Sequence, residues 1–366
     1  MHTNAIETWL ARMYRHALRL QCSIDWHFHV QFTQPGQLEI DYPECKSRII
    51  RSPWQLANWF YFFREFERVC RKERFDAVHV HGDLMCAPYL VAARFAGVQH
   101  LVVHVHNSDE SIPTASRVKQ RLYREPMRQV CLRLADRIVG ISNHTLDAFL
   151  AGRERRPERD TVLYYGVDPT PFEHVTANRS NFRQQLGLEE HSLILLFAGR
   201  LVPEKNPVFV VDVLAKLRDI EPRAVAVFAG AGSLEQHVLE RARQLRVEAS
   251  VRLLGWRNDL PEVMSCSDWF MLPHPEDPME GFGLSVVEAQ LAGLRLLLSR
   301  GIADDPLLPT ACYRRLHLAG GSMVWAKAAV ELLHEPAPSR AAAIVAVRES
   351  PMNMDRALEG LLKLHA

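Results

Sequence analysis

The chain has 366 residues, 48% of them hydrophobic and 24% charged, which is the composition of a soluble globular protein long enough for two domains. Its net charge of +1 does not indicate a nucleic-acid-binding protein. No apolar run approaches the roughly 20 residues that span a bilayer. The first residues also lack the basic start and apolar stretch of a signal peptide, so we expect a cytoplasmic protein.

Short apolar strands alternate with longer amphipathic helices in the first half of the chain. The predicted strands are residues 24–32, 76–81, 101–106, 137–142 and 161–165. The predicted helices are residues 54–73, 84–96, 116–134 and 143–150. Nearly continuous apolar strands joined by helices indicate a parallel sheet that is covered on both faces.

The same alternation restarts after an interruption at residues 166–178, where Gly-Val-Asp-Pro-Thr-Pro breaks the pattern. The predicted strands are residues 193–198, 224–229, 251–254, 269–272 and 294–299, and the predicted helices are 208–218, 234–245, 260–266 and 285–291. We therefore predict an α/β fold of two doubly wound, Rossmann-like domains, residues 1–170 and 171–348, facing across a cleft. A last amphipathic helix, 354–364, lies in the remaining segment, 349–366.

The seven cysteines are scattered and form no C-x-x-C pair: Cys22, Cys45, Cys70, Cys86, Cys131, Cys266 and Cys312. An odd, unpatterned set is typical of reduced thiols in a cytosolic protein. We expect packing roles for them.

Two basic residues directly follow the predicted strand 193–198. Arg200 and Lys205 lie in Gly-Arg-Leu-Val-Pro-Glu-Lys-Asn-Pro, and Pro207 fits the first turn of the next helix. Two fixed positive charges at a strand end can neutralise a diphosphate leaving group as its charge develops. The alternative is a solvated loop with incidental charges.

Two acidic residues eight positions apart flank a glycine turn before the helix at 285–291. Gly281 and Gly283 let the backbone approach a ligand closely, and the free N–H groups at the helix start favour a phosphate. Glu288 can accept hydrogen bonds from a ribose diol, and Glu280 from hydroxyls of a sugar. Singly, Glu288 could instead complement the helix dipole, and Glu280 could be a simple loop acid.

Other strand ends contribute weaker signals. Gly230 and Gly232 form a G-x-G turn whose third fingerprint glycine is absent, which disfavours NAD and favours a tight turn beside a nucleotide. Trp256 either borders the base or packs in the interior. The chain has no D-x-D motif, so we expect no metal bridging the diphosphate and no cofactor.

These motifs resemble the retaining glycosyltransferases of family 4, which have the GT-B fold. The matching segments are residues 199–207, 230–232 and 280–293, with Ile-Glu-Thr-Trp at 6–9, Asp-Ala-Val-His-Val-His at 76–81 and His-Val-His-Asn at 104–107. The first half resembles the subgroup that builds bacterial capsule and exopolysaccharide. The resemblance covers nearly the whole chain, and it is stronger in the second half.

The resemblance implies a hexosyltransferase that takes a nucleotide diphosphate-sugar, for which we expect UDP, to a saccharide or lipid-linked acceptor. Together with the missing D-x-D motif, it leads us to expect a metal-independent enzyme. It implies catalytic roles for Arg200, Lys205 and Glu280, and donor contacts from Glu288, Gly230, Gly232, Phe282, Gly283, Leu284, Ser285 and Trp256. It also implies that the last helix returns to the first domain. Family members begin with an apolar strand and a Gly-Gly turn, where this sequence has Asn4-Ala5, so we expect the first strand of the N-terminal domain to be missing.

Histidines end two strands of the first half. Alternate residues of a strand share a face, so His79 with His81, or His104 with His106, could bind a metal; we favour ordinary polar strand-end roles for the first pair. His106, followed by Asn107 and Asp109, is the further catalytic candidate, because the resemblance places a histidine there near the transferred sugar. Retention of configuration without an evident nucleophilic side chain suggests front-face substitution. In that mechanism no side chain acts as a strict general base.

Residues 116–137 carry seven basic and only two acidic side chains, interleaved with apolar residues. Such a basic amphipathic helix can lie on anionic lipid, which would place the protein at the inner face of the cell membrane; the alternative is a solvated face. We interpret the aromatic residues 59–63 as core.

Two other functions remain open. One is a catalytically impaired protein of the same fold that binds a nucleotide or glycan within an assembly complex, which the altered start favours. The other is a nucleotide-sugar epimerase, which the paired glutamates disfavour.

Overall fold

The computed structural model describes residues 5–31, 37–107 and 120–365. The chain forms two compact units: Met1–Gly166 together with Met354–Ala366, and Val167–Asn353. Each unit is built from parallel β-strands and α-helices, so the predicted α/β class with two Rossmann-like domains is confirmed. Among the described residues, no helix is both long and apolar enough to cross a membrane.

The first unit contains a short parallel pair of strands and a four-stranded parallel sheet in the order β3-β4-β5-β6. Its strands are β1 (Phe28–Val30), β2 (Ile49–Arg51), β3 (Ala77–His81), β4 (His100–Val105), β5 (Arg137–Gly140) and β6 (Asp160–Val162). Its helices up to Gly166 are α1 (Ala5–Arg19), α2 (Gln37–Asp41), α3 (Trp59–Glu73), α4 (Cys86–Ala96), α5 (Glu125–Leu134) and α6 (Asn143–Leu150). Short 3₁₀ turns lie at Pro43–Arg48, Leu56–Asn58 and Asp83–Met85, and a π-helical turn at Gln120–Arg124.

Two elements at the beginning of the first unit differ from prediction. Helix α1 was not predicted, although Trp9, Met13 and Ala17 recur every four residues and are buried on one helical face. Strand β1 begins only at Phe28, four residues later than predicted, and the predicted end of that strand, Phe32, lies outside the described residues.

The aromatic segment 59–63 begins α3, and its interpretation as core is wrong for three of five residues. Trp59, Phe60 and Tyr61 are more than half exposed, and only Phe62 is fully buried. The reason is helical geometry, because consecutive residues point in different directions and only one face of α3 meets the core.

The basic segment 116–137 is only partly described. Residues 116–119 lie outside the described ranges, and α5 occupies Glu125–Leu134. Arg128 is buried, and its guanidinium donates to Glu125 at 2.7 Å. One of the seven predicted basic charges therefore faces the protein interior.

The second unit contains a six-stranded parallel sheet in the order β12-β11-β10-β7-β8-β9. Its strands are β7 (Leu193–Ala198), β8 (Ala224–Ala229), β9 (Val251–Gly255), β10 (Trp269–Leu272), β11 (Arg295–Ser299) and β12 (Tyr313–Leu316). Its helices are α7 (Thr170–Glu173), α8 (Arg179–Gln185), α9 (Pro207–Arg218), α10 (Glu235–Gln244), α11 (Leu260–Ser265), α12 (Leu284–Leu291), α13 (Ser322–Leu333) and α14 (Arg340–Glu349). Strands β8 and β10 are buried along their whole length, as expected where helices cover both faces.

Several elements of the second unit were not predicted, including β12, α13 and α14. Helix α13 buries Trp325, and its Ala329 carbonyl accepts the indole N–H of Trp269 at 2.9 Å. The buried face of α13 is rich in alanine, which gives a weak hydrophobic signal in the sequence.

The last helix, α15 (Met354–Lys363), belongs to the first unit. It buries Ala357, Leu358 and Leu361, and the imidazole of His16 on α1 lies 2.7 Å from the Asp355 carboxylate. The chain therefore contributes both its beginning and its end to this unit.

Candidate functional site

The order of strands in the second unit defines one crevice at the carboxyl edge of the sheet. The chain passes from β7 through β8 to β9 toward one edge, then continues from β10 to β12 on the other side of β7. In open parallel sheets, ligands bind at the carboxyl ends of the strands where the order reverses. That point lies between β7 and β10, so the loops after these two strands are the candidate site.

Two predicted site residues meet there as an ion pair. Lys205 follows β7, Glu280 follows β10, and the lysine Nζ contacts Glu280 Oε2. Both side chains are largely shielded, with exposures of 18% and 15%. The backbone N–H of Glu280 also donates to the Gly301 carbonyl at 2.7 Å, which fixes the loop after β10 to the end of β11.

The electrostatic environment keeps Glu280 ionised. Burial is the largest single influence and acts to raise its pKa. The positive charge of Lys205, the neighbouring His274 and the charge of Arg200 together outweigh burial, so the pKa of Glu280 lies below its ordinary value. Arg200 is exposed, and its charge acts on the same carboxylate, so three of the four predicted catalytic residues interact electrostatically.

His274 is a member of this site that the sequence analysis missed. It follows β10 by two residues, is 5% exposed, and has Nε2 3.5 Å from Glu280 Oε2. Its Nδ1 lies 2.9 Å from the Pro275 carbonyl, and burial lowers its pKa. Its position at the end of a predicted strand was a signal that could have identified it.

Glycines bring two loops of the site into backbone contact. A Cβ on Gly230 would lie 2.0 Å from the Gly199 carbonyl oxygen, and one on Gly232 would lie 2.3 Å from that of Leu201. Leu201 N–H donates to the Ala231 carbonyl at 3.0 Å, which joins the loops after β7 and β8. The two predicted glycines therefore shape the wall of the crevice, and no larger residue fits without a shift.

The turn before α12 brings backbone N–H groups to the same edge. Gly283 caps the helix with φ +82° and no side-chain cap, while Leu284 and Ser285 are half-buried. Glu288 is half-buried one turn inside the helix. Phe282 is 1% exposed, so the predicted donor contact from its side chain is not supported.

Trp256 lies beyond the end of β9 and is 60% exposed. Its indole N–H donates to Asn258 at 3.2 Å. The interpretation of this residue as packed in the interior is therefore wrong.

The fourth predicted catalytic residue, His106, belongs to the first unit. It is 4% exposed, with Nδ1 2.6 Å from the Tyr165 hydroxyl and Nε2 2.8 Å from His81 Nδ1. Buried Asp83, which the sequence analysis missed, accepts the backbone N–H groups of His106 and Asn107 at 2.8 and 3.2 Å. Asp109 lies outside the described residues.

Two family models match the chain. The model described as Glycosyltransferase Family 4 matches residues 6–170, and the model described as Glycosyl transferases group 1 matches residues 178–302.

Curated relatives match over part of their length. The chain is 28% identical over 236 residues to the UDP-Gal:alpha-D-GlcNAc-diphosphoundecaprenol alpha-1,3-galactosyltransferase of Escherichia coli, covering 63% of this chain and 59% of that protein. It is 30% identical over 254 residues to a Bacillus subtilis protein named as the glycosyltransferase EpsF, covering 69% and 65%. The chain thus spans about three fifths of the length of these relatives.

Solved structures match over nearly the whole chain. Anabaena Alr3699/HepE in complex with UDP superposes with a TM-score of 0.78 at 19% identity, over 98% of this chain and 95% of that one. At this level of identity the likeness shows the fold.

Proposed function

The chain belongs to glycosyltransferase family 4 and has the GT-B fold, and from this we propose that it transfers a hexose from a nucleotide diphosphate-sugar to a saccharide or lipid-linked acceptor with retention of configuration. The proposed setting is the synthesis of a cell-surface polysaccharide. The curated relatives named above support this setting, since one is named for transfer to a diphosphoundecaprenol-linked sugar.

The observation that carries the proposal is the meeting of Arg200, Lys205 and Glu280 where the strand order reverses. A diphosphate needs fixed cations and a sugar needs hydroxyl acceptors, and this site offers both within a few ångströms. A donor sugar-diphosphate can take Lys205 onto its phosphate oxygens, which leaves the Glu280 carboxylate free to accept from sugar hydroxyls. The ion pair then serves to keep Glu280 charged and to orient both groups before the donor arrives.

The remaining contacts follow from position. The α12 N–H groups at Leu284 and Ser285 suit the diphosphate, and Glu288 one turn further suits the ribose diol. Gly230 and Gly232 form a wall without side chains, and Trp256 can border the base. We favour UDP as the nucleotide, because one relative is named for UDP-galactose and one structural neighbour holds UDP.

The proposed chemical step is a front-face substitution. The acceptor hydroxyl oxygen bonds to the anomeric carbon as the bond to the phosphate oxygen breaks, on the same face. The hydroxyl proton passes to an oxygen of the departing diphosphate, so the products are the α-linked glycoside and the nucleoside diphosphate. Arg200 and Lys205 stabilise the charge that develops on the leaving group, and no bound metal is needed for it.

We also propose peripheral contact with an anionic membrane at its cytoplasmic face, as a lipid-linked acceptor would require. The exposed aromatic side chains Trp59, Phe60 and Tyr61 support it, because aromatic rings favour the membrane interface. In a flotation assay with anionic vesicles, Trp59→Ala/Phe60→Ala should reduce salt-sensitive binding severalfold. Equal flotation of both proteins, or none by the wild type, would contradict this contact.

The function is tested by titrating purified protein with UDP-hexoses in a calorimeter and by following UDP release with and without an acceptor glycan. Binding followed by acceptor-dependent UDP release supports transfer. Binding without any turnover supports the non-catalytic alternative. The absence of binding to any nucleotide-sugar would refute transfer and would leave the alternative only as a glycan-binding protein.

A further inference from the structure

Five histidines of the first unit lie together, although they come from three parts of the chain. His79 and His81 lie on β3, and His104 lies opposite His81 on β4. Because paired residues and alternate residues share one face of a sheet, these side chains and that of His106 project from the same face. His365, which follows α15, completes the group and lies against His79.

Three members of this group lie close enough to be ligands of one ion. The Nε2 of His79 is 3.1 Å from Nδ1 of His104, while Nδ1, on the other side of the His79 ring, is 3.1 Å from Nε2 of His365. One nitrogen each from His79, His81 and His104 lie within 4.8 Å of one another. Metal–nitrogen bonds of about 2.0–2.1 Å place neighbouring ligand nitrogens of a tetrahedral site about 3.3 Å apart. Small rotations of the three rings would bring their nitrogens to that separation.

Hydrogen bonding alone does not satisfy this group. Three neutral imidazoles in the chain from His365 through His79 to His104 carry three N–H groups and three lone pairs. The two hydrogen bonds that join these rings use two N–H groups and two lone pairs. One N–H group and one lone pair therefore remain, one on His365 and one on His104. Both end atoms, Nδ1 of His365 and Nε2 of His104, are buried and have no partner among the residues that the structure describes.

Burial also suits a metal. His104 is 0% exposed, and a buried imidazole with an unsatisfied ring nitrogen is stabilised when that nitrogen binds a metal. Trp9 packs edge-on against His81 and His104, which shields the group from water.

We propose that His79, His81 and His104 bind one divalent transition-metal ion, with a water molecule as the fourth ligand. Imidazole ligands favour Zn²⁺ and its neighbours Co²⁺, Ni²⁺ and Cu²⁺ over the oxygen-seeking Mg²⁺ and Ca²⁺. The ion ties β3 to β4. In the proposed transfer reaction the cations of the second unit, and not this ion, stabilise the leaving group.

The test uses the 366-residue chain without a histidine tag, treated with a chelator and dialysed into metal-free buffer. Co²⁺ is titrated in while the visible spectrum is recorded, and Zn²⁺ is then added. We expect one Co²⁺ per chain with the intense bands of a tetrahedral nitrogen site, displaced by Zn²⁺. Octahedral bands, no stoichiometric binding, or a sulfur-to-cobalt band that places the ion on a cysteine would overturn the proposal.

Substitutions then locate the ion. His79→Gln and His104→Gln should each weaken Co²⁺ binding at least tenfold, and Zn²⁺ should raise the Tm of the wild type but not of these variants. His237→Gln changes an exposed histidine of α10 and should leave binding unchanged. Unchanged affinity in both folded cluster variants would refute the assignment.

If a cluster variant does not fold, the wild type decides the question. Histidine side-chain ¹⁵N spectra recorded with and without Zn²⁺ identify the ligating nitrogens directly. Large shifts confined to the cluster support the proposal, and unshifted cluster resonances refute it.

Discussion

The two units place polar side chains at the carboxyl ends of parallel strands, but they do so with opposite electrostatics. At β7 and β10 the side chains are charged and of both signs, and the charges sustain one another, as the lowered pKa of Glu280 shows. At β3 and β4 they are imidazoles, partly buried on β3 and fully buried at His104, and loss of solvent holds the pKa values of His79 and His104 well below the ordinary range. The first arrangement can hold a charged ligand, and the second can hold a cation through lone pairs.

Strand order explains part of this difference. Strands β3 to β6 follow one another across their sheet, whereas the order of the second sheet reverses between β7 and β10. The reversal opens a crevice in which a ligand can lie between two loops. Strands β3 and β4 are consecutive in the chain and in the sheet, and the rings of His79 and His104 on them lie against each other.

The sharpest way to test the comparison is to remove one charge from the crevice. Glu280→Gln keeps the shape of the side chain and removes its charge, so hydroxyl acceptance and the pairing with Lys205 are weakened. We expect kcat for sugar transfer to fall about 10²–10³-fold, the size found for one preorganised electrostatic group, while UDP binding measured by calorimetry changes little.

Glu221→Gln is a control for that variant, since it changes a carboxylate that pairs with Arg223 at the surface of the same unit. Its kcat should equal that of the wild type. A Glu280→Gln protein with wild-type kcat would show that the ion pair at β7 and β10 is only structural.

The sequence identified the residues of this site, but it did not show that they lie together in the fold. Arg200, Lys205 and Glu280 were identifiable because each follows an apolar strand that reads clearly. That β7 and β10 are neighbours in the sheet could not be identified from the sequence. The reason is that 75 positions separate Lys205 from Glu280, and their contact depends on the strand order of the whole sheet. The cluster in the first unit shows the same limit, since His365 meets His79 across 286 positions.

The fold was predictable where burial leaves a strong pattern. Strands β7, β8 and β10 were predicted with their observed bounds because both of their faces are apolar. Helix α13 was missed because alanines form much of its buried face, and α1 was missed although its period was readable.

The shape of the crevice is tested by filling it. Gly230→Ala places a Cβ 2.0 Å from the Gly199 carbonyl oxygen at a φ of +146°, so backbone must move. We expect about 3 kcal/mol of destabilisation and a fall in Tm on the order of 10 °C.

Gly320→Ala is the matched control in the same unit, since its Cβ would meet nothing closer than 3.7 Å. Calorimetric melting of both variants checks the prediction. Equal Tm values would mean that the loops after β7 and β8 are not held as closely as described.

His106 tests whether the first unit takes part in transfer. Both of its ring nitrogens have partners inside the unit, so a contact with sugar or acceptor requires exchange of one partner. We expect His106→Ala to lower kcat about tenfold, the value of one hydrogen bond, without abolishing transfer. Complete loss of transfer by a folded variant that still binds the donor would instead make His106 a required base.

The smallest expected effect is that of replacing His274. It shows whether burial or the charge of Glu280 has the stronger influence on the pKa of this histidine. Burial lowers the pKa of His274, whereas the Glu280 carboxylate acts to raise it. If burial prevails, the folded protein keeps His274 neutral while the unfolded chain takes up a proton below about pH 6.5. The stability that the neutral ring contributes is then complete above that pH, and it is lost as the pH falls.

We expect the free energy of unfolding of the wild type, relative to His274→Gln, to fall by up to about 1.4 kcal/mol per pH unit below pH 6.5. Denaturant melts of both proteins at pH 7.5 and 5.5 measure this difference, and Glu280 stays ionised over that interval because its pKa is lowered. A difference that does not change with pH would mean that the charge of Glu280 offsets burial. His274 would then titrate as an ordinary histidine, and the crevice would stay hydrated down to the carboxylate.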